Sequence, residues 1–261
     1  MNYIVTALDA EARILIDHYR LKKVSPLPYT LYGNEETTLL VSGIGKVNAL
    51  MAVSALLGWR RPQANDVFLN IGVCGAPGEY EIGEPLLIHQ IMDTNRRYYP
   101  DILYTHPLRE ASIVCADEPQ STPCDFPVDM ESSAVFQAAS RFVKLHQMGF
   151  IKIVSDHFSP QNVTKEGVTE LIRSNVNKID EVRSALEKGQ LSEKLFSEGE
   201  HHEIETLKSW FTKAQACALE DALSYFRLKY PQEVLPIRTE IPHSKRERSR
   251  LLEELIAKLT T

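Results

Sequence analysis

The chain has 261 residues, of which 43% are hydrophobic and 25% charged, so it is long enough for one large α/β domain or a domain with an appendage. Its 29 basic and 35 acidic residues give a net charge of −6, which argues against sequence-independent nucleic-acid binding. No segment has the roughly 18 consecutive apolar residues that span a bilayer. The N-terminus does not resemble a secretory signal, and the four cysteines lack metal-ligand spacing. We therefore expect a cytoplasmic protein without a membrane, nucleic-acid or metal partner.

Apolar runs alternate with helical periodicity along the first two thirds of the chain. The runs predict strands at residues 3–8, 37–42, 66–73, 84–92, 111–115 and 150–155. The helical spacing predicts helices at residues 11–19, 46–57, 132–143 and 168–186. Because the predicted strands are apolar nearly throughout, we expect an α/β fold whose sheet is covered on both faces.

The sequence changes character after Lys188. Residues 189–206 are polar and weakly periodic, whereas residues 207–230 have the spacing of one amphipathic helix. Ser244 followed by Glu247 is a capping-box pattern that predicts the start of a last helix. We predict an α/β domain at residues 1–188 and an α-helical C-terminal extension at residues 189–261.

Glycines follow two of the predicted strands. Gly43 and Gly45 end the second strand, and Gly72 precedes Val73 at the end of the third. Glycine lets the backbone approach a ligand closely, and a helix N-terminus favours anions or hydroxyl groups. One such loop is equally typical of a plain turn, but two in one sheet favour a pocket.

Three acids also lie at predicted strand ends, namely Glu11, Glu131 and Asp156. A lone acid at such a position is usually a helix cap. In a sheet of this kind, however, ligand sites form where the strands end, so we expect the three to converge. Carboxylates whose pKa values differ are the groups that cleave glycosidic bonds.

Six segments occur in the order TALDAEARIL, LLVSGIGKVNA, FLNIGVCGA, EIGEPLLI, FPVDMESSAVF and IKIVSDH. Together they resemble the nucleoside phosphorylase/nucleosidase superfamily, and in particular the nucleosidases for methylthioadenosine and S-adenosylhomocysteine, over about residues 1–186. The resemblance implies a central mixed sheet flanked by helices, a small-molecule nucleoside ligand, no cofactor, and a homodimer or larger homo-oligomer.

The resemblance also implies roles for individual residues. Glu11 would activate the attacking water, and Asp156, with Ser155 beside it, would help to protonate the leaving purine. Glu131 would hold the ribose hydroxyls and Met130 would wall the base and sugar. Asp129 is expected at the entrance of the next helix rather than in the pocket. The predicted substrate-binding set is completed by Gly43, Gly45, Gly72, Val73 and Tyr98.

The chain departs from the nucleosidase pattern in three places. Val73 stands where the nucleosidases have a serine, and Lys152 stands where they have an arginine. The segment of residues 115–127 is short and has Pro119 in place of an aromatic residue that packs on the base. Tyr98 or Tyr99 is the predicted substitute for that aromatic wall.

Asn70 bears on the choice of nucleophile. Phosphorylases of this superfamily commonly have an arginine at this position, and an asparagine cannot hold phosphate with a charged fork. Asn70 therefore favours water, unless another basic residue binds phosphate; the candidates are Arg13, Lys46, Arg96 and Arg97. We expect a nucleosidase that cleaves the N-glycosidic bond of a purine (adenine) nucleoside or 5′-modified adenosine. Two alternatives stay open: a phosphorolytic purine nucleoside phosphorylase, and a non-catalytic nucleoside-binding module with a partner-binding helical tail.

Overall fold

The computed structural model describes residues 1–63, 65–191, 195–230, 232–237 and 244–260. The chain divides into two compact units, residues 1–191 and residues 192–261. Residues 192–194, 231, 238–243 and 261, all within the predicted extension at 189–261, lie outside the described residues. In the described part of the chain, none of the helices has the length and apolar character needed to cross a membrane.

The first unit combines strands and helices. Its described strands are β1 (Asn2–Thr6), β2 (Lys22–Val24), β3 (Thr30–Gly33), β4 (Thr37–Val41), β5 (Val67–Gly75), β6 (Pro85–Asp93), β7 (Arg96–Tyr98), β8 (Arg109–Cys115), β9 (Val128–Asp129) and β10 (Met148–Asp156). Its α-helices are α1 (Asp9–His18), α2 (Lys46–Trp59), α3 (Ser132–Ala139) and α4 (Lys165–Leu191). The predicted central mixed sheet flanked by helices is confirmed. The sequence analysis missed β2, β3, β7 and β9, placed the end of α3 too late and placed the end of α4 too early.

The strands form one sheet that closes on itself at one side. β10 pairs with both β5 and β6, so that β5, β9, β8, β6 and β10 make a ring. From β5 the sheet continues outward through β1, β4, β3 and β2. β1 is parallel to β4 and β5, and β5 is parallel to β10. Residues that follow β1, β5 and β10 therefore meet at one edge of the sheet.

Alternating side chains of the strands build a core on each face of the sheet. Along β1, Tyr3 and Val5 belong to the core that α2 and α3 cover, whereas Ile4 belongs to the core that α1 and α4 cover. All three side chains are buried. This is the period of two that a strand imposes, and it confirms that the sheet is covered on both faces.

The second unit is helical and has its own core. Its described helices are α5 (Glu198–Lys208), α6 (Lys213–Lys229) and α7 (Lys245–Thr260). The core includes Ile204, Leu207, Leu219, Leu223, Leu255 and Leu259. The predicted single helix at residues 207–230 is wrong, because α5 ends at Lys208 within this range and Thr212 caps the start of α6 by accepting a hydrogen bond from the Gln215 amide. The predicted capping of α7 is present, since the Glu247 amide donates to Ser244 Oγ at 3.2 Å.

Gly149→Ala tests the packing between β5 and β10, where Gly149 lies opposite Leu69. A Cβ at this position would lie 2.8 Å from Leu69 Cδ2. Since overpacking a core typically costs about 1–3 kcal/mol, we expect the free energy of unfolding to fall by that amount. Gly58→Ala is the matched control, because a Cβ there meets nothing within 4 Å and alanine favours helix α2. Urea unfolding followed by circular dichroism measures the stability of both variants. A Gly149→Ala protein as stable as the wild type would contradict the close packing of Gly149 against Leu69.

Candidate active site

A cavity of about 290 Å³ lies where β1, β5, β9 and β10 end. It is near the lower limit of volume for small-ligand sites. Glu11, Glu131 and Asp156 all line it, and so does Asp129. The structure thus brings together the three acids that the sequence analysis singled out. A larger surface groove of about 530 Å³ beside α4 contains none of the predicted site residues.

Glu11 is held in the first turn of α1 by three backbone amides. Its Oε2 accepts hydrogen bonds from the amides of Ala7 at 2.8 Å and Leu8 at 2.9 Å. Its Oε1 accepts one from the Val73 amide at 3.0 Å. Burial raises the pKa of Glu11, although Lys152 and the three amides act in the opposite direction. The result is a carboxylate with a fixed orientation and increased basicity.

Gly72 makes room for the Glu11 carboxylate. A Cβ at position 72 would lie 2.8 Å from Glu11 Oε1 and 3.5 Å from Lys152 Nζ. Gly72 is not among the residues that line the cavity. It was predicted to bind substrate, and its place in the structure is instead behind Glu11.

Asp129 and Lys152 form a buried ion pair beneath the cavity. Lys152 Nζ lies 2.8 Å from Asp129 Oδ2, and both side chains are almost fully buried. Asp129 Oδ2 also accepts from the amide and hydroxyl of Ser132, the first residue of α3. Asp129 is therefore at the helix entrance, as predicted, but it also lines the cavity, so the expectation that it lies outside the pocket is wrong. Its Oδ1 is buried and has no hydrogen-bond partner among the described residues.

Glu131 faces the cavity from the N-cap position of α3. Its Oε1 accepts a hydrogen bond from the Gly45 amide at 2.7 Å, which joins α3 to the turn before α2. Burial and then the charge of Asp129 raise the pKa of Glu131 to about 7, while Lys152 and the Gly45 amide act in the opposite direction. A carboxyl group with this pKa changes its charge near neutral pH.

Asp156 ends β10 and is oriented by two serines. The Ser159 amide donates to Asp156 Oδ1 at 2.6 Å. Ser155 Oγ lies 2.7 Å from Asp156 Oδ2 and 3.1 Å from the Cys74 carbonyl oxygen. Ser155 also lines the cavity. A single hydroxyl hydrogen therefore has two acceptors in range.

Apolar side chains complete the wall. Met130 and Val73, both predicted to contact substrate, line the cavity. Ile44, Pro119 and Val163 line it as well. Ile44 was missed, although its place between the two glycines of the turn before α2 offered a signal.

Three further residues predicted to bind substrate do not line the cavity. Gly43 and Gly45 have φ angles of 85° and 90°, so the turn before α2 requires glycine at both positions. Gly45 acts on the site only through its amide, which binds Glu131. Tyr98 is partly buried and packs against the core: β7 pairs it with Ile91, and the centroids of its ring and the Phe136 ring are 5.1 Å apart.

The basic residues considered for phosphate are elsewhere. Arg13, Arg96 and Arg97 are exposed, and Lys46 pairs with Asp93 and Asp117. Of the described residues, no lysine, arginine or histidine lines the cavity. Asn70 is buried, and its Nδ2 donates to the Val5 carbonyl oxygen at 3.2 Å. Within the described ranges, no group of His, Cys, Asp or Glu side chains is arranged to hold a metal ion.

Comparisons with known proteins identify the fold. No family model and no curated protein sequence matches the chain. A methylthioadenosine/S-adenosylhomocysteine nucleosidase from S. pneumoniae, solved with a transition-state inhibitor, is 19% identical with a TM-score of 0.59, over 71% of this chain and 100% of that one. The chain has the nucleosidase fold.

Two other solved structures share the nucleosidase fold. The corresponding nucleosidase from Colwellia psychrerythraea 34H, in complex with adenine, is 18% identical with a TM-score of 0.55, over 73% of this chain and 95% of that one. Futalosine hydrolase of Helicobacter pylori is 14% identical with a TM-score of 0.56, over 70% of this chain and 97% of that one. In each comparison, more than a quarter of this chain thus has no counterpart in the solved structure.

Glu131→Gln tests the electrostatics of the nucleosidase-fold cavity. Glu131 has an ordinary pKa of 4.5 and a pKa of about 7 in the folded chain, so the folded state retains a proton that the unfolded state releases. The stability that this proton contributes is fully present below pH 4.5 and is lost as the pH rises through 7. We expect the stability of the wild type relative to Glu131→Gln to fall by about 3 kcal/mol over this range.

Urea unfolding at successive pH values measures this difference. Glu35→Gln, which changes an exposed glutamate, is the control and is expected to follow the wild type. A constant difference between wild type and Glu131→Gln would contradict the raised pKa. The neighbouring charges of Asp129, Glu11 and Lys152 are the same in all three proteins.

Proposed function

We propose that the chain is a nucleosidase, which hydrolyses the N-glycosidic bond of a purine nucleoside, with adenosine or a 5′-modified adenosine as substrate. The observation that carries the proposal is that Glu11, Glu131 and Asp156, far apart in sequence, line one cavity. The nucleosidase fold supports it, because solved structures with that fold include enzymes named for this reaction.

The charges of the cavity suit the reaction. As the bond breaks, positive charge develops on the ribose and negative charge on the base. Glu131 next to the sugar stabilises the positive charge on the ribose, and a proton from Asp156 neutralises the negative charge on the base. Each positioned acid or base typically contributes about 10²–10⁴-fold in rate.

Ser155 gives Asp156 a means to hold the proton that it donates. The Ser155 hydroxyl has one hydrogen and two acceptors in range, Asp156 Oδ2 and the Cys74 carbonyl. If Asp156 Oδ2 carries a proton, it donates to Ser155 Oγ, and Ser155 donates to Cys74. Each hydrogen-bonding group from Asp156 through Ser155 to Cys74 then has a partner. When a purine nitrogen replaces Ser155 Oγ as the acceptor of Asp156, that nitrogen receives the proton.

Glu11 is the proposed base that activates water. Its three backbone donors fix both oxygens, and Oε1, which accepts only from the Val73 amide among the described residues, keeps a lone pair for a water molecule. Burial that raises its pKa makes the carboxylate a stronger base.

Water is favoured over phosphate by the charge of the cavity wall. The acids that line it repel an anion, and Lys152, the cation beneath them, is already paired with Asp129. A fully desolvated phosphate with no free positive partner is unfavourable. The same reasoning favours nucleosides over nucleoside 5′-phosphates.

A non-catalytic nucleoside-binding module is the second candidate, and Val73 favours it. Its apolar side chain lines the cavity where the nucleosidases that the sequence resembles have a serine. The site then has one hydroxyl fewer to position water, and binding without turnover would follow.

We also propose a cytoplasmic homodimer in which α2 lies at the interface. α2 exposes an apolar face formed by Val47, Leu50 and Met51, next to the exposed Ile44. Val47 alone is 71% exposed. Contiguous apolar surface of this kind marks protein interfaces.

Base release distinguishes the candidate functions. We expect adenine from methylthioadenosine, adenosine or 5′-deoxyadenosine in phosphate-free buffer, with no increase when phosphate is added. Liquid chromatography of the products measures it. Release only with phosphate would indicate phosphorolysis, and thermal stabilisation by ligand without release would indicate a binding module.

Asp156→Asn tests the proton donor. Asparagine keeps the acceptor for the Ser159 amide but cannot supply the proton, so we expect turnover to fall about 10²–10⁴-fold while the melting temperature stays unchanged. Asp17→Asn, at an exposed position of α1, is the matched control and should keep full activity. Wild-type turnover by Asp156→Asn would remove Asp156 from the mechanism.

A further inference from the structure

A lysine outside the cavity joins a segment of the cavity wall to β6. Lys46 is the first residue of α2, and its Nζ lies 2.8 Å from Asp93 Oδ1 and 2.8 Å from Asp117 Oδ1. Asp93 ends β6, whereas Asp117 belongs to the segment between β8 and β9, residues 116–127. None of the three side chains lines the cavity, so any effect on the site must be indirect.

The segment at residues 116–127 supplies part of the cavity wall through Pro119 and Gln120. At its base, the Ala116 amide donates to the Asp129 carbonyl oxygen at 2.7 Å. Further along, Gln120 donates to the Thr122 carbonyl oxygen within the segment itself. Among the described residues, the pair of Lys46 with Asp117 is the only ion pair that ties this segment to another element. Asp117, two residues before Pro119, is therefore the charged anchor of this part of the wall.

Lys46 and its partner Asp93 are largely buried. The Lys46 and Asp93 side chains are only 21% and 18% exposed, compared with 80% for Asp117. Asp93 Oδ1 also accepts a hydrogen bond from the Thr94 amide. Lys46 is thus fixed by Asp93 at the end of β6 and extends toward the exposed segment.

We propose that Lys46 is a positioning residue, which holds residues 116–127 against the cavity through Asp117, so that Pro119 and Gln120 form the wall against which a nucleoside binds. The identity of the ligand rests on the proposed function, whereas the anchoring does not. Because Lys46 touches neither the cavity nor the reacting groups, its loss should weaken binding and leave the chemical step unchanged.

The anchoring is tested by limited proteolysis with an aspartate-specific protease, followed at the exposed Asp125 within the segment. Lys46→Met and Asp117→Asn should be cleaved there about 3- to 10-fold faster than wild type, because the segment opens more often. Lys46→Arg keeps the charge and should restore the wild-type rate. Lys23→Met, which changes an exposed lysine on β2, is the matched control. Wild-type cleavage of both Lys46→Met and Asp117→Asn would overturn the anchoring.

The effect on the site is tested by binding and kinetics. We expect Lys46→Met and Asp117→Asn to raise the dissociation constant for adenine, and the KM for methylthioadenosine, about 3- to 10-fold with kcat nearly unchanged. Asp117 is exposed, so its variant leaves the fold and the pair of Lys46 with Asp93 intact. Unchanged KM and adenine affinity, or an equal fall in kcat, would overturn the positioning role. A wild type that releases no base would refute the proposed function alone, since cleavage and adenine binding still report on Lys46.

Discussion

One buried cation makes the acidic site possible. Lys152 lies on β10 with its Nζ 2.8 Å from Asp129, and it also attracts Glu131 and Glu11. Breaking such a pair by removing one partner typically costs about 3–5 kcal/mol, because the other charge stays buried and uncompensated. One positive charge among three carboxylates is enough to keep the acids inside the protein but not enough to neutralise them. Burial raises the pKa values of Glu131 and Glu11 in spite of Lys152, and the site keeps groups that can exchange protons.

The same balance explains why two acids stand either side of Met130. Asp129 is the last residue of β9, where it turns to Lys152 and Ser132, whereas Glu131 is the N-cap of α3 and turns to the Gly45 amide. The chain leaves the strand between them, so the two carboxylates acquire different partners. Asp129 satisfies the buried cation, and Glu131 is left to face the cavity.

The alternation of apolar runs and helical spacing was enough to predict the sheet, its two covered faces and the edge where the acids meet. Short strands were not predictable, because β7 and β9 have three and two residues and exist only through pairing with distant strands. Pairing also decides the position of Tyr98, which the register with Ile91 places against the core. The break between α5 and α6 had a local signal, Thr212 with Gln215, which was overlooked because the apolar period continues across it.

The role of Lys152 could not be read from its neighbours in sequence, because the register of β10 on β5 decides it. Lys152 lies opposite Gly72, whose missing side chain leaves space for both Lys152 Nζ and the Glu11 carboxylate. These groups are fixed by strand pairing and backbone amides, so they form a rigid charged floor. Ile44 and Pro119, in contrast, come from loops outside the strands. In the proposed nucleosidase, the floor sets which bond is cleaved and the loop wall sets which nucleoside is accepted, so the two properties can vary independently.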